Sequence, residues 1–252
     1  MGLNNHTWAF TPKSSMSEVM VNRFAILCGP LAQLCFVIFL PAGLLLPPIS
    51  PSLSPEQTAE HYRKNLTGMK AGISIMLMTA VFWPIFCAGV NRQLSRIPHV
   101  NPTLLWAQLA GGALGGVSMM LPAVFFAATT YRLDRDPVAT QTLSDLSWFS
   151  FSMLFPPFIA QDLALSWAIL SDKRAQPLFP RWLAYATTGL TLTFYPALGV
   201  HCVHHGAVAW NGALGFWLGA AGFGLQVGLL VRFMLNAAGK PDLEHDDGVT
   251  TV

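Results

Sequence analysis

Charge is what this sequence has least of. Aspartate, glutamate, lysine and arginine make up 10% of its 252 residues, where an ordinary soluble domain carries roughly 25%. That shortage, with 53% hydrophobic residues, points to lipid rather than water as the solvent for most of the surface. The net charge of +2 is small and scattered, and no Lys/Arg block of the kind that neutralises a phosphate backbone occurs, which excludes a nucleic-acid partner. Cysteine is also scarce. Cys28 and Cys35 share one apolar run, Cys87 ends the next and Cys202 falls on the opposite side, so a disulfide framework is not expected and the thiols read as small packing groups. Phosphate-cradling loops, dinucleotide fingerprints and nucleophile elbows are absent, and no glutamate accompanies the histidines in an HExxH arrangement.

Long apolar runs are what the sequence does have. They fall near 24–47, 71–91, 103–130, 146–171, 182–200 and 208–235, each near the roughly 20 residues that cross about 30 Å of hydrocarbon. The expected fold is all-α, a polytopic membrane protein with six transmembrane helices. The first run exceeds a secretory h-region and ends in "PAGLLLPPISP" with no small-residue cleavage site, so it reads as a retained helix. Three segments follow: 1–23 as a cytoplasmic N-terminal stretch, 24–235 as the six-helix domain, and 236–252 as a cytoplasmic polar tail. Orientation rests on the basic residues, which favour the cytoplasmic side. With both termini inside, Lys13, Arg23, Arg92, Arg96, Lys173, Arg174, Arg181, Arg232 and Lys240 are inner, whereas Arg63, Lys64, Lys70, Arg132 and Arg135 are outer. Between the first two runs, "SPEQTAEHYRKN" has the composition of a short surface helix.

Proline interrupts four runs, at Pro84, Pro122, the pair Pro156-Pro157, and Pro196. Each removes a backbone donor and frees a carbonyl one turn earlier, which favours an internal cavity where neighbours satisfy the exposed groups. Glycine recurs at helical spacing at Gly111-Gly115 and Gly215-Gly219, suited to close helix contact, chiefly inside the bundle. The aromatics divide by depth. Trp106, Trp148, Trp182 and Trp210 fall near run ends and suit an interfacial belt, whereas Trp83, Phe155 and Trp217 lie deeper and are candidates for lining a cavity.

Asp162 is the only acidic residue well inside a run. A carboxylate there costs several kcal/mol unless it is paired or protonated, which makes it a functional candidate, with a hydrogen-bonded clasp as the structural alternative. Gln33, Gln161 and Gln226 fall at comparable depth, with Gln108 nearer the surface, so a single polar layer is expected. At the outer end of the fifth run, His201, His204 and His205 have the i, i+3, i+4 spacing that puts imidazoles on one helical face. A divalent metal, a pH-responsive mouth and a hydrated helix end are the readings there, the last being favoured; no other cofactor is indicated.

Three functional readings follow. The first is an integral membrane protein that binds or transports a lipophilic small molecule in an intramembrane cavity, with Asp162 and the glutamines at its polar end. The second is a membrane enzyme acting on a lipid or isoprenoid, with Asp162 as acid/base. The third is an accessory subunit of a larger membrane complex or a homo-oligomer. The expected partner common to all three is the bilayer itself.

Overall fold

A computed structural model describes residues 16–240. The N-terminal stretch up to residue 15, with Lys13, and the tail from 241 onward lie outside the described residues. Among those described there is no strand, and the chain runs through nine α-helices: α1 (Met16–Ala42), α2 (Pro55–Lys64), α3 (Leu66–Leu77), α4 (Thr79–Leu94), α5 (Pro102–Tyr131), α6 (Pro137–Met153), α7 (Pro156–Ser171), α8 (Arg181–Thr191) and α9 (Leu218–Ala238). A 3-10 segment, Leu192–Cys202, continues α8, and a π-turn, Ala213–Trp217, opens α9.

Five segments are long and apolar enough to cross a membrane: α1, α3 with α4, α5, α6 with α7, and the π-turn with α9. The outward face of α1 is consistent with that. Val21, Phe24, Leu27, Leu31 and Leu34 are all exposed, an apolar stripe along the helix of the kind a membrane protein presents to lipid. The starts of α2, α5 and α6 share one local grammar. Ser54-Pro55, Asn101-Pro102 and Asp136-Pro137 each place a capping side chain before a proline whose missing N–H would have had no helical partner anyway. Asn101 Oδ1 accepts from the Thr103 amide at 2.9 Å and Asp136 Oδ1 from the Val138 amide at 2.8 Å. Ser54 and Gln57 form a reciprocal box, since the Gln57 amide donates to Ser54 Oγ and the Ser54 amide to Gln57 Oε1.

Helix α5 runs through the middle, against α3, α4, α6 and α7, while α1 packs on α4, α3 and α9, and α8 bridges α7 and α9. Glycines permit the central contact. A Cβ on Gly111 would come within 2.8 Å of the Gln161 nitrogen and the Pro157 carbonyl, and one on Gly115 would strike the Phe158 ring at 2.7 Å. Gly111 and Gly115 therefore serve internal packing of α5 on α7. Gly215 likewise serves internal packing, since a Cβ there would strike the carbonyls of Val208 and Ala209, whereas Gly219 stands in ordinary contact with Phe194; both also line the cavity described below.

Both ends of the described chain lie on one face. The Glu18 carboxylate pairs with Arg92 at 3.0 Å, and Arg96 donates to the carbonyls of Ala237 and Lys240. The opposite face carries α2 and the 203–212 connection. There Tyr62 bonds Ser144 at 2.8 Å, Gln141 donates to the Leu53 carbonyl, and Trp210 donates to the Ile49 carbonyl at 2.9 Å. This cap corrects the expected aromatic belt. Trp106 and Trp182 are exposed as a belt requires, but Trp148 and Trp210 are buried and stack on one another at 6.3 Å, because the loops fold over the helix ends and make a core there.

Candidate functional site: an aromatic cavity and a buried carboxyl

The fourth apolar run is two helices. Pro156 and Pro157 carry no amide hydrogen, so the carbonyls of Ser152 and Met153 have no donor one turn on, and the helix lapses at Leu154 and Phe155, with Leu154 out of helical geometry, before α7 begins. The break opens a cavity of about 130 Å³. Two phenylalanine clusters bound it. Toward the capped face, Phe36 of α1, Phe151 of α6 and Phe216 of the π-turn stack, with ring centroids at 4.8 Å between the first two and 6.2 Å between the last two. Toward the terminal face, Phe194 of the 3-10 segment stacks on Phe155 at 5.8 Å and meets Phe223 of α9, which meets Phe158 of α7.

Between the clusters the wall is made of small or flexible groups, including Ser118, Met119, Ala197, Gly215 and Gly219. The exposed lining residues are Val37 of α1 and Ala220 of α9, so the mouth lies between these two helices and faces sideways. Gln33 sits at that mouth, its Nε2 3.6 Å from where a Cβ on Gly224 would be. Ser152 supplies a wall hydroxyl whose Oγ is shielded from solvent and has no hydrogen-bond partner in the protein.

Asp162 is one turn beyond Phe158 and is 2% exposed. Thr191 Oγ1 lies 2.8 Å from Asp162 Oδ2 and 3.0 Å from the Thr187 carbonyl. The Gln226 side-chain amide also bonds the carboxyl, while Gln226 Oε1 is buried without a partner. Thr191, Gln226 and Asp162 each stand one helical turn from an aromatic residue of the inner cluster, Phe194, Phe223 and Phe158 respectively. The rings thus form a floor between the cavity and the carboxyl.

The expected polar layer is not one site. Gln226 reaches Asp162, but Gln161 turns toward α4, where its Nε2 donates to Cys87 Sγ at 3.5 Å. Gln108 accepts from Asn91 Nδ2 at 3.1 Å in a separate buried pair, and Gln33 lines the cavity. Neighbours on a helix project about 100° apart, and Gln161 and Asp162 accordingly make their hydrogen bonds to different helices, α4 and α8. Among the deeper aromatics, Phe155 lines the cavity, Trp83 packs behind it against Phe158 and Phe223, and Trp217 lies on the outer surface. Thr191, Ser152, Phe36, Phe194, Phe216 and Phe223 escaped the reading by sequence; a threonine three residues before an aromatic in a proline-containing run was the available signal for Thr191.

The histidines do not share a helical face. The 3-10 segment stops at Cys202 and Val203 is extended, so the i, i+3, i+4 geometry that a two-ligand helical site requires is not formed. His201, His204 and His205 are exposed, and the His204 carbonyl accepts from Ser52 Oγ at 2.6 Å. No group of three or more His, Cys, Asp or Glu side chains arranged to hold a metal is found among the described residues. The four cysteines are free thiols, three of them buried.

No family model, no curated protein and no solved structure matches the chain.

Proposed function

We propose that the protein crosses the membrane six times with both termini cytoplasmic, and that it binds and passes a small lipophilic molecule through the cavity between the two phenylalanine clusters. The sixth crossing is α8 with its 3-10 continuation, whose combined rise of about 38 Å exceeds the hydrocarbon thickness. The observation that carries the reading is the cavity itself. It is closed above and below by aromatic rings, open sideways between α1 and α9, and supplied with one unpartnered hydroxyl at Ser152. Apolar cavities of about 150 Å³ hold a benzene-sized guest, so the bound molecule, or the part of it that enters, is about that size. Aromatic clusters on both sides give two gates whose alternate opening passes the ligand across.

Two features weigh against the other readings. Asp162 is behind the aromatic floor rather than in the cavity, and the one titratable group beside it among the described residues is the buried Cys87 thiol, which leaves a lipid-modifying enzyme without a second carboxyl or imidazole to complete a catalytic pair. The Gly111 and Gly115 face that a partner subunit would use is occupied by α7.

The test is thermal unfolding of purified protein in nanodiscs against phenols, indoles and short alkyl alcohols, on wild type and on Val37→Trp and Ala220→Trp. A ligand at a hundred times its Kd stabilises by about 2.7 kcal/mol, a rise of several degrees. Both substitutions lie at the exposed mouth and should abolish that rise without lowering the unliganded Tm. Efflux of the same ligand from proteoliposomes then tests passage. No stabilising ligand, or a rise that the mouth substitutions leave unchanged, overturns the reading.

A further inference from the structure

We infer that Asp162, with Thr191 and Gln226, is a reversible proton-binding site loaded from the face that carries both ends of the described chain, and separated from the cavity by the floor of Phe158, Phe194 and Phe223. The use of that proton in moving a ligand rests on the function proposed above; the site itself does not.

The geometry suits both states of the carboxyl. The threonine hydroxyl has one hydrogen and two acceptors in reach, Asp162 Oδ2 at 2.8 Å and the Thr187 carbonyl at 3.0 Å. With Asp162 ionised, the hydrogen points to the carboxylate. When a proton adds to a carboxyl oxygen, that O–H donates to Thr191 Oγ1, and the threonine hydrogen turns to Thr187. Gln226 is ambivalent in the same way. Its side-chain amide stands beside the carboxyl with a buried Oε1 that has no partner, and it is the alternative acceptor of the single O–H when the proton adds to the carboxyl oxygen away from Thr191. Uptake therefore changes the charge by one unit, makes one O–H bond, and costs neither partner its place.

Fixed charges would lock the site in one state, and none faces it among the described residues. Of the elements around Asp162, α8 contributes Thr187 and Thr191, α9 contributes Gln226, α5 contributes glycine backbone, and α4 contributes the Cys87 thiol, the one other titratable group that senses the carboxyl. An unpaired carboxylate so placed costs several kcal/mol in hydrocarbon, and the proton is the counter-charge that removes this cost.

Access is one-sided. Toward the terminal face, one turn along α7, Ser166 Oγ donates to the Ala184 carbonyl at 3.1 Å and accepts from Thr188 Oγ1 at 3.1 Å, and Thr188 is partly exposed. Hydroxyls therefore continue from Asp162 toward the terminal face, where the cavity side presents the rings of Phe158, Phe194 and Phe223.

Infrared titration of the full chain in nanodiscs tests the site. A C=O band of a protonated, buried carboxyl should grow as pH falls, be lost in Asp162→Asn, and move in frequency in Asp162→Glu and Thr191→Val. The doubly substituted Ser166→Ala, Thr188→Val protein should keep the band at equilibrium but exchange its proton for deuterium roughly tenfold more slowly, as removal of a relay worth about 1.4 kcal/mol in the barrier would do. A wild type without the band, or a band that survives unchanged in both Asp162 variants, overturns the proton site. Exchange at the wild-type rate overturns the one-sided access. Ligand-induced stabilisation in the same samples separates the two proposals: a missing band with binding intact removes the proton site alone, and a band without ligand binding removes the cavity reading alone.

Discussion

Phe36 and Phe151 stack across the gap between α1 and α6 with their ring centroids 4.8 Å apart and their planes 11° from parallel. Neither ring is near the other in the chain, and together they close the cavity on its capped side. Such a pair is worth about 0.5–1.5 kcal/mol beyond the area it buries. Phe36→Leu should lower stability by about that amount, measured by denaturant or thermal unfolding in micelles, and should widen the range of ligands that stabilise the protein toward bulkier ones. A variant that binds only the wild-type set would show that these rings do not limit the cavity.

Glycine substitutions on α5 should separate into graded effects. At Gly111 a methyl group meets backbone on α7, which cannot move aside cheaply, and overpacking of this kind costs roughly 1–3 kcal/mol. At Gly115 the obstacle is the Phe158 ring, which can yield only into the cavity, so Gly115→Ala should weaken ligand binding more than stability. Gly189→Ala and Gly228→Ala meet nothing within 4 Å and should be neutral or slightly stabilising. Equal loss at all four positions would contradict the α5–α7 contact.

The capping box at the start of α2 predicts a loss of about 1 kcal/mol for Ser54→Ala. Its first consequence should be faster amide exchange in residues 55–64, because Tyr62 and Arg63 of this helix hold the cap through Ser144 and the Leu133 carbonyl. Protection unchanged along α2 would show that docking rather than the box keeps the helix wound.

Acid should loosen the loops before the bundle. Burial, together with nearby Lys64 and against a bond to the Leu44 backbone, pushes the His61 imidazole below its usual 6.5. Burial opposes ionisation of Asp172, but the Arg174 guanidinium at 2.6 and 2.8 Å and the amides of Leu178 and Arg174 prevail and hold it below 3.8. A lowered folded value means stability that is complete above the unfolded value and lost as pH falls. Unfolding by titration should therefore show one loss beginning below pH 6.5 that His61→Gln removes, and a second beginning below pH 3.8 that is absent in Asp172→Asn. Because Asp172 accepts several charge-assisted bonds, Asp172→Asn should cost about 1.5–3 kcal/mol at neutral pH.

Much of the architecture was legible before any coordinates, because it depends on local composition. A run of some 20 uncharged residues must be a helix in lipid, where no other local structure satisfies its backbone. Thus α5 at Pro102–Tyr131 lies within a residue of the expected 103–130. Boundaries moved where a different rule acted. Helix α1 begins at Met16, inside the stretch read as a polar terminal segment, and α6 begins at Pro137, because Asp136 supplies a cap that hydropathy does not see. The isolation of Asp162 at depth, and the absence of any lysine or arginine to pair with it, were likewise readable from the chain alone.

Only the tertiary structure decided which side chains meet. Depth along a helix is a count of residues, but direction around it depends on packing, and adjacent positions differ by about 100°. Gln161 and Asp162 therefore belong to different contacts, and Thr191, which no depth count singles out, is the carboxyl's partner. The cavity has the same origin. Its phenylalanines come from six separate elements, and they converge where the Pro156-Pro157 pair interrupts the helix between α6 and α7 and the glycines of α5 let α7 approach. The histidines show the converse: their spacing specified a shared face only if the helix continued, and its end at Cys202 was set by how the 203–212 connection folds over Trp148 and Ile49.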